Sequence, residues 1–471
     1  MTQPSQNQPS QSQSPQHQPP QDHSSQSPSC NTRTHNKALS KQLFNSTWPM
    51  LFGVLSLMSF QLVDSAFIGQ LGILPLAVQG FTAPIQLIIV GLQVGLGIAT
   101  TTIISRLLGA EKIQEAKQHS ALIVVGGGVL IAVMGVFLYL IRHWALDLLG
   151  APAEVYPIVD EYWIYWLFSA WSSAFLYFLY SICRANGNTM LPGSVMVITS
   201  LLNMILDPLF IFTFDMGLNG AAIASIAAFT IGTLIVAPKI IQQGWLSFDW
   251  KDIHIPKVLI SISHVMGPAM TSQLMPPLSS LLATKLLATY GPAPVAAWAI
   301  GSRYEFFCIV TVLALTMSMP PMVGRMLGAG RFDDIKGVVK VASIFIVSSQ
   351  IIIAAISFVG AHWLSNLMSK EADVQSILSL HFAIVPLSLA PLGICILMVS
   401  LSNAIGRSYQ ALLLSILRLF VFFIPCLWIG SQVAQIQGLL IGAAVGNTLA
   451  GITAWIMFHS QLNKLKRCNQ A

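Results

Sequence analysis

Twelve apolar stretches take up most of this chain, at 47–70, 78–105, 119–141, 158–181, 190–214, 218–242, 258–289, 293–322, 338–360, 376–400, 408–430 and 436–459. A bilayer crossing takes about 20 apolar residues, and in lipid every backbone polar group must find its partner inside the segment. The stretches therefore predict α-helices, in an all-α polytopic membrane protein with twelve transmembrane helices. Charged residues make up only 8% of the sequence and hydrophobic ones 54%, which excludes a soluble enzyme.

The loops fix an expected orientation. With the N-terminus placed in the cytoplasm, eighteen of the 23 Lys and Arg residues fall on the inner side; only Arg142 and Lys370 fall outside, and Lys285, Arg303 and Arg418 lie within apolar stretches. Such a bias orients membrane proteins with the positive loops inward, so both termini are expected in the cytoplasm of a plasma (inner) membrane protein. The net charge of +6 is thus a topology signal and points to no nucleic-acid partner. Residues 1–40, rich in Gln, Ser and Pro, read as a disordered cytoplasmic tail. An N-lobe follows over 41–242, a cytoplasmic linker over 243–257, a C-lobe over 258–460 and a short tail over 461–471. The six cysteines are scattered without metal-ligand spacing, so neither a disulfide framework nor a zinc site is expected.

The second half repeats the first. At an offset of 219 residues, Pro49 falls on Pro268, Gly72 on Gly291, Arg106-Leu107-Leu108-Gly109-Ala110 on Arg325-Met326-Leu327-Gly328-Ala329, and Ala185 and Gly187 on Ala404 and Gly406. Six helices per copy is an even number, so the copies share orientation. Parallel repeats of this kind build two-lobed transporters with a central cleft.

The copies differ in charge. Asp64 and Asp207 lie inside apolar stretches of the first half, while their counterparts are Ala283 and Cys426. A carboxylate at mid-bilayer costs about 2.5–3.5 kcal/mol, so it is expected to face a cavity or a cation. By helical rise both acids sit on the order of 10 Å below the outer surface. Asn203 shares the helical face of Asp207, and Ser225 lies at matching depth on the next stretch. Two carboxylates, an amide and a hydroxyl in one layer suit protons or a hard monovalent cation. A plainer reading has Asp207 hydrogen-bonding a kink at Pro208 and Asp64 lining a wet crevice.

In the second half, Arg303, Glu305 and Arg418 fall near the midplane. They form either a gate or substrate anchor, or an Arg–Glu–Arg cluster that orients helices. Tyr177 and Met196 are deep enough to line a site for flat cationic ligands through cation–π contact, or to serve as core.

Several pieces together resemble the multidrug and toxic compound extrusion (MATE) family. They are Pro49, Val63-Asp64-Ser65, Arg184-Ala185-Asn186-Gly187-Asn188-Thr189 and Asn203-Met204-Ile205-Leu206-Asp207-Pro208. Gly301-Ser302-Arg303-Tyr304-Glu305 and Arg418 with Pro425 look like its DinF-type branch. The resemblance spans about 40–460. It implies a two-lobed antiporter that exports amphipathic, often cationic compounds against inward H⁺ or Na⁺ flow. Carried over, the cation site comprises Asp64, Asn203, Asp207 and Ser225, where Ser225 stands in for a threonine of some relatives. Helix 1 of such relatives bends at the proline matching Pro49.

The expected mechanism is alternating access. The two acids take up protons or a shared Na⁺ from outside, the N-lobe helices repack, and bound substrate is released. No cofactor beyond the coupling ion is expected, and the partners are small molecules and the lipid bilayer around a monomer. Alternatives are an exporter of organic anions and a lipid-linked oligosaccharide flippase of the same superfamily. No Ser/His/Asp set, paired metal ligands or Walker motif supports an enzyme or an ATP-driven pump.

Overall fold

A computed structural model describes residues 28–251 and 254–470. Twelve membrane helices run through it. They are α1 (Pro28–Gln70), α2 (Ile73–Gly109), α3 (Ile113–Leu140), α4 (Tyr156–Ala185), α5 (Met190–Pro208), α6 (Gly217–Gln242) and α7 (Ile255–Leu287). Next come α8 (Pro292–Cys308 and Val310–Gly328, one span broken at Ile309) and α9 (Phe332–Val359). The last three are α10 (Ala372–Ala404), α11 (408–433) and α12 (436–470). Ten helices qualify as crossings by length and mean hydropathy alone, with α11 and α12 counted as one. They separate at Ala434 and Gln435, whose backbone leaves the helical region. The twelfth, α7, is less apolar and carries Pro268, Pro276 and Pro277 inside it.

Helix α1 begins at Pro28, so residues 28–40 of the expected tail are helical, while 1–27 lie outside the described residues. Likewise α12 continues as helix to Gln470, through the expected C-terminal tail. Helix α7 begins at Ile255 and so takes in the last three residues of the expected 243–257 linker.

The 219-residue register is visible in three dimensions. A short helix follows α3 at Arg142–Leu148 and another follows α9 at Ala361–Met368. The turns before α2 and α8 both rely on a glycine with positive φ, Gly72 at 113° and Gly291 at 105°, a conformation other residues resist. Each lobe has its own core. Met50, Leu96, Phe178 and Met196 are among the residues of the first, and Met319, Leu397, Leu401 and Phe458 among those of the second. Outward faces are apolar instead of polar: Val129, Val133, Val136 and Leu140 on α3 are exposed, as expected of a surface solvated by lipid.

The lobes meet through α1 and α2 on one side and α7 and α8 on the other. The lobes are in close contact toward the end of the bundle where α1 starts and α12 finishes. There Thr47 of α1 hydrogen-bonds Ser318 of α8 at 2.9 Å.

Candidate functional site

On the other side of that contact, the N-lobe encloses a cavity of about 540 Å³. Asp64 and Gln61 of α1, Gln79, Gln86 and Gln93 of α2, Tyr162, Trp166, Tyr177 and Tyr180 of α4, Met196 and Thr199 of α5, and Ser225 and Phe229 of α6 line it. Met317 lines it from the C-lobe, and among the described residues Asp64 is the lone charged side chain in its wall. Among the described residues the wall holds no Lys, Arg or His.

Asp207 sits behind this wall, 0% exposed, and Asn203 beside it is 1% exposed. The helix geometry accounts for their meeting. Four residues apart on α5, they stack on one face, and α6 returns alongside so that Ser225 faces Asn203. In the orientation that satisfies both neighbours, the Asn203 amide nitrogen donates to Oδ1 and Oδ2 of Asp207 at 2.9 and 2.7 Å. Its carbonyl oxygen then accepts from Ser225 Oγ at 2.9 Å. A hydrogen-bonded path thus leads from the cavity wall at Ser225 through Asn203 to the buried carboxylate. Just beyond Asp207 and Pro208, the α-helix gives way to a π-helical turn, Leu209–Thr213, a local widening often found at functional positions.

Asp64 is placed differently. It faces the cavity and makes no hydrogen bond or ion pair among the described residues. Three of the four expected residues are therefore bonded to one another, and the fourth looks on from the wall. Tyr177 and Met196 both reach the cavity. On its far side Tyr177 carries the Arg184 guanidinium, 5.0 Å from the ring centroid. Pro49 lies within an unbroken α1, its backbone pressed against Gly193 of α5.

Two matches to one family model, MatE, cover residues 49–209 and 268–429, about two thirds of the sequence and in the same repeat register. The chain belongs to the MATE family. It is similar to the MATE transporter VcmN of Vibrio cholerae in the bent form, with 58% identity over 92% of this chain and 99% of that one and a TM-score of 0.90. It is also similar to the FAD transporter of Shewanella oneidensis, 28% identical over 431 residues, which covers 89% of this chain and 94% of that protein. The multidrug export protein MepA of Staphylococcus saprophyticus is 24% identical over 432 residues, 90% of this chain and 94% of that protein. This MATE-family chain is thus a multi-pass efflux transporter of small compounds and not an enzyme. The DinF-type branch is not specified by these relatives.

In the C-lobe of this MATE chain, the charged group differs from the expected Arg–Glu–Arg cluster. Glu305 hydrogen-bonds His381 of α10, with 2.8 Å between Oε1 and Nε2, and His381 is 1% exposed. Arg418 makes no ion pair with Glu305 among the described residues, and Arg303 is exposed and outside this contact. Sequence reasoning passed over His381 because a histidine in an apolar stretch carries no obligatory charge. The repeat held the signal. At the 219 offset, Glu305, His381 and Arg418 correspond to Gln86, Tyr162 and Thr199, all of which line the N-lobe cavity. Gly301 makes room for the histidine: a Cβ there would lie 2.5 Å from His381 Nε2.

Among the described residues no cluster of three His, Cys, Asp or Glu side chains could hold a metal ion. The donors at Asp207 are carboxylate, amide and hydroxyl oxygens, which fit a proton or a hard monovalent cation better than a transition metal.

Proposed function

We propose that this transporter is a cation-coupled antiporter in which Asp207, Asn203, Ser225 and Asp64 carry the coupling ion, H⁺ or Na⁺. The Asn203 bridge between a fully buried carboxylate and the cavity wall supports the reading. An ionised Asp207 only accepts hydrogen bonds, so it draws the amide nitrogen toward itself and leaves the amide oxygen facing Ser225. A protonated Asp207 has a hydrogen to give. The amide then turns over, and its nitrogen donates to Ser225 Oγ, a contact of 2.9 Å in that orientation. One side-chain rotation thus reports the charge state of a buried acid at the cavity surface, where Ser225 shares the wall with Asp64. A Na⁺ ion would instead use the same oxygens as ligands.

The substrate class follows from the wall. One carboxylate, four aromatic rings from α4 and no basic side chain favour an amphipathic cation, held by charge and cation–π contact. A pyrophosphate-bearing lipid would meet no positive charge there, which weighs against the flippase reading. The relative named FAD transporter favours a second reading, export of a flat organic anion. The eighteen-to-two distribution of basic residues supports both termini in the cytoplasm of a plasma-membrane protein, and no partner chain is needed to complete the cavity.

Efflux from sealed vesicles under separately imposed pH and sodium gradients tests the reading, with cationic dyes and organic anions as cargo. Expulsion of cationic dye driven by one of the two gradients is expected. Dye movement indifferent to both gradients would refute coupling, and transport of anions alone would refute the cargo class.

A further inference from the structure

The strongest repeat motif, Arg106–Ala110 with its copy Arg325–Ala329, lies far from the cavity, at the end of the bundle where α1 starts and α12 finishes. Arg325 belongs to the last turn of α8, in the C-lobe, yet its guanidinium crosses into the N-lobe. Nε and Nη2 donate to the carbonyl oxygen of Ala185 at 3.0 and 2.7 Å. Ala185 closes α4, so this carbonyl has no partner within its own helix and sits at the negative end of the helix dipole.

A looser counterpart recurs in mirror sense, a close approach in which the Arg106 guanidinium makes no hydrogen bond among the described residues. Arg106, in the last turn of α2 in the N-lobe, lies over Gly406, just past the end of α10. Gly406 corresponds to Gly187 at the 219 offset. A Cβ on Gly187 would lie 2.6 Å from Arg325 Nη1, and one on Gly406 would lie 2.5 Å from Arg106 Nη1. Both glycines have positive φ, 83° and 77°. Between the two arginines the helix ends touch backbone to backbone. A Cβ on Gly109 would fall 2.1 Å from the Arg325 carbonyl oxygen, and one on Gly328 would fall 2.2 Å from that of Arg106. None of these residues lines the cavity.

We infer that Arg106 and Arg325 are paired latches, each fastening one lobe to a helix C-terminus of the other, and that the cleft cannot open at this end until both let go. The inference rests on the chain being a two-lobed transporter, and is independent of its coupling ion and cargo. Charge-assisted hydrogen bonds suit a reversible closure. Water can replace the acceptor when the lobes part, whereas an apolar seam would have to expose its surface. The latches are unequal: Arg325 is half-buried and donates two hydrogen bonds, whereas Arg106 is exposed and only approaches Gly406, so Arg325 holds the greater share.

Ser318 provides the readout. It is 3% exposed, and its hydroxyl is bonded across the lobe contact to Thr47. In the full-length protein in proteoliposomes, without cargo or gradient, maleimide labelling of Ser318→Cys is compared with the same chain lacking that cysteine. Arg325→Ala removes both donors and is expected to raise the labelling rate at least about tenfold, the lower end for a single lost charge-assisted hydrogen bond. Arg106→Ala should raise it less, and the double variant more than either. Arg325→Lys keeps the charge but loses the two-pronged donor, and should fall between wild type and Arg325→Ala. Should Arg325→Ala fail to fold, Gly187→Ala displaces the same guanidinium and is expected to raise labelling likewise. Labelling at the wild-type rate in a folded Arg325→Ala or Gly187→Ala protein overturns the latch. Because the assay needs neither gradient nor dye, that result is distinct from a failure of ion coupling.

Discussion

The packing of α1 against α5 permits a test that joins a single atom to transport. A Cβ added at Gly193 would lie 2.5 Å from the Pro49 carbonyl oxygen, 2.6 Å from its carbonyl carbon and 2.8 Å from its Cβ. Ordinary contacts between non-bonded heavy atoms lie near 3.5 Å, so Gly193→Ala forces the helices apart by about 1 Å. The obstacle is backbone in an unbroken helix and cannot rotate aside. Overpacking of this kind costs about 1–3 kcal/mol. Alanine also gains helix propensity over glycine, and a control removes that gain. Gly126 lies inside α3 with nothing within 4 Å of its would-be Cβ, so Gly126→Ala carries the same propensity benefit and no clash. The difference between the two variants is then the clash alone, about a 5- to 150-fold shift away from the close-packed position of α1. Asp64 rides the same helix about 22 Å further along, so parting at Pro49 displaces it relative to Asp207 on α5. Gradient-driven dye efflux from vesicles, with thermal unfolding of the purified protein, measures both consequences. Gly193→Ala should lose most of its efflux and unfold at lower temperature, and Gly126→Ala should match wild type or exceed it in stability. If the two variants are indistinguishable in both measurements, the α1–α5 contact does not position the acid.

Two further outcomes follow from the charged groups of each lobe. Asp207→Asn keeps the shape of the side chain but removes its charge; gradient-driven efflux should fall at least about tenfold while dye still binds the cavity, and full efflux at normal expression would remove Asp207 from the coupling role. Glu305→Gln should impair efflux, and Gly301→Ala should break the same His381 contact from the other side at a cost of about 1–3 kcal/mol. The double variant is therefore expected to be less damaged than the two single losses added together, which a double-mutant cycle on unfolding measures.

What could be read before the structure divides along a physical line. Span boundaries were legible because lipid penalises every unpaired backbone group, which leaves long apolar runs no other conformation; the break that separates α11 from α12 and the weak apolarity of α7 blur only a counting rule. Asp64 and Asp207 were legible for the complementary reason, since a charge in an apolar run must be explained. Which atoms bond was not legible. Depth arithmetic put four residues in one layer, but it could not say that Asn203 bridges Asp207 to Ser225 while Asp64 stays unbonded at the wall. His381 was invisible for a related reason, because its partner Glu305 lies 76 residues away on another helix. Both gaps concern contacts between helices, which periodicity along one helix does not encode. The internal repeat does encode some of them. Once one copy is known to turn a position inward, the other copy turns the corresponding position inward as well. The cavity residue Tyr162 then marks His381, and the crossing of Arg325 to Ala185 marks that of Arg106 toward Gly406. Duplication fixes which positions face inward, and divergence between the copies decides which of them carry charge. In this chain that placed an acid pair in one lobe and a histidine–glutamate pair in the other.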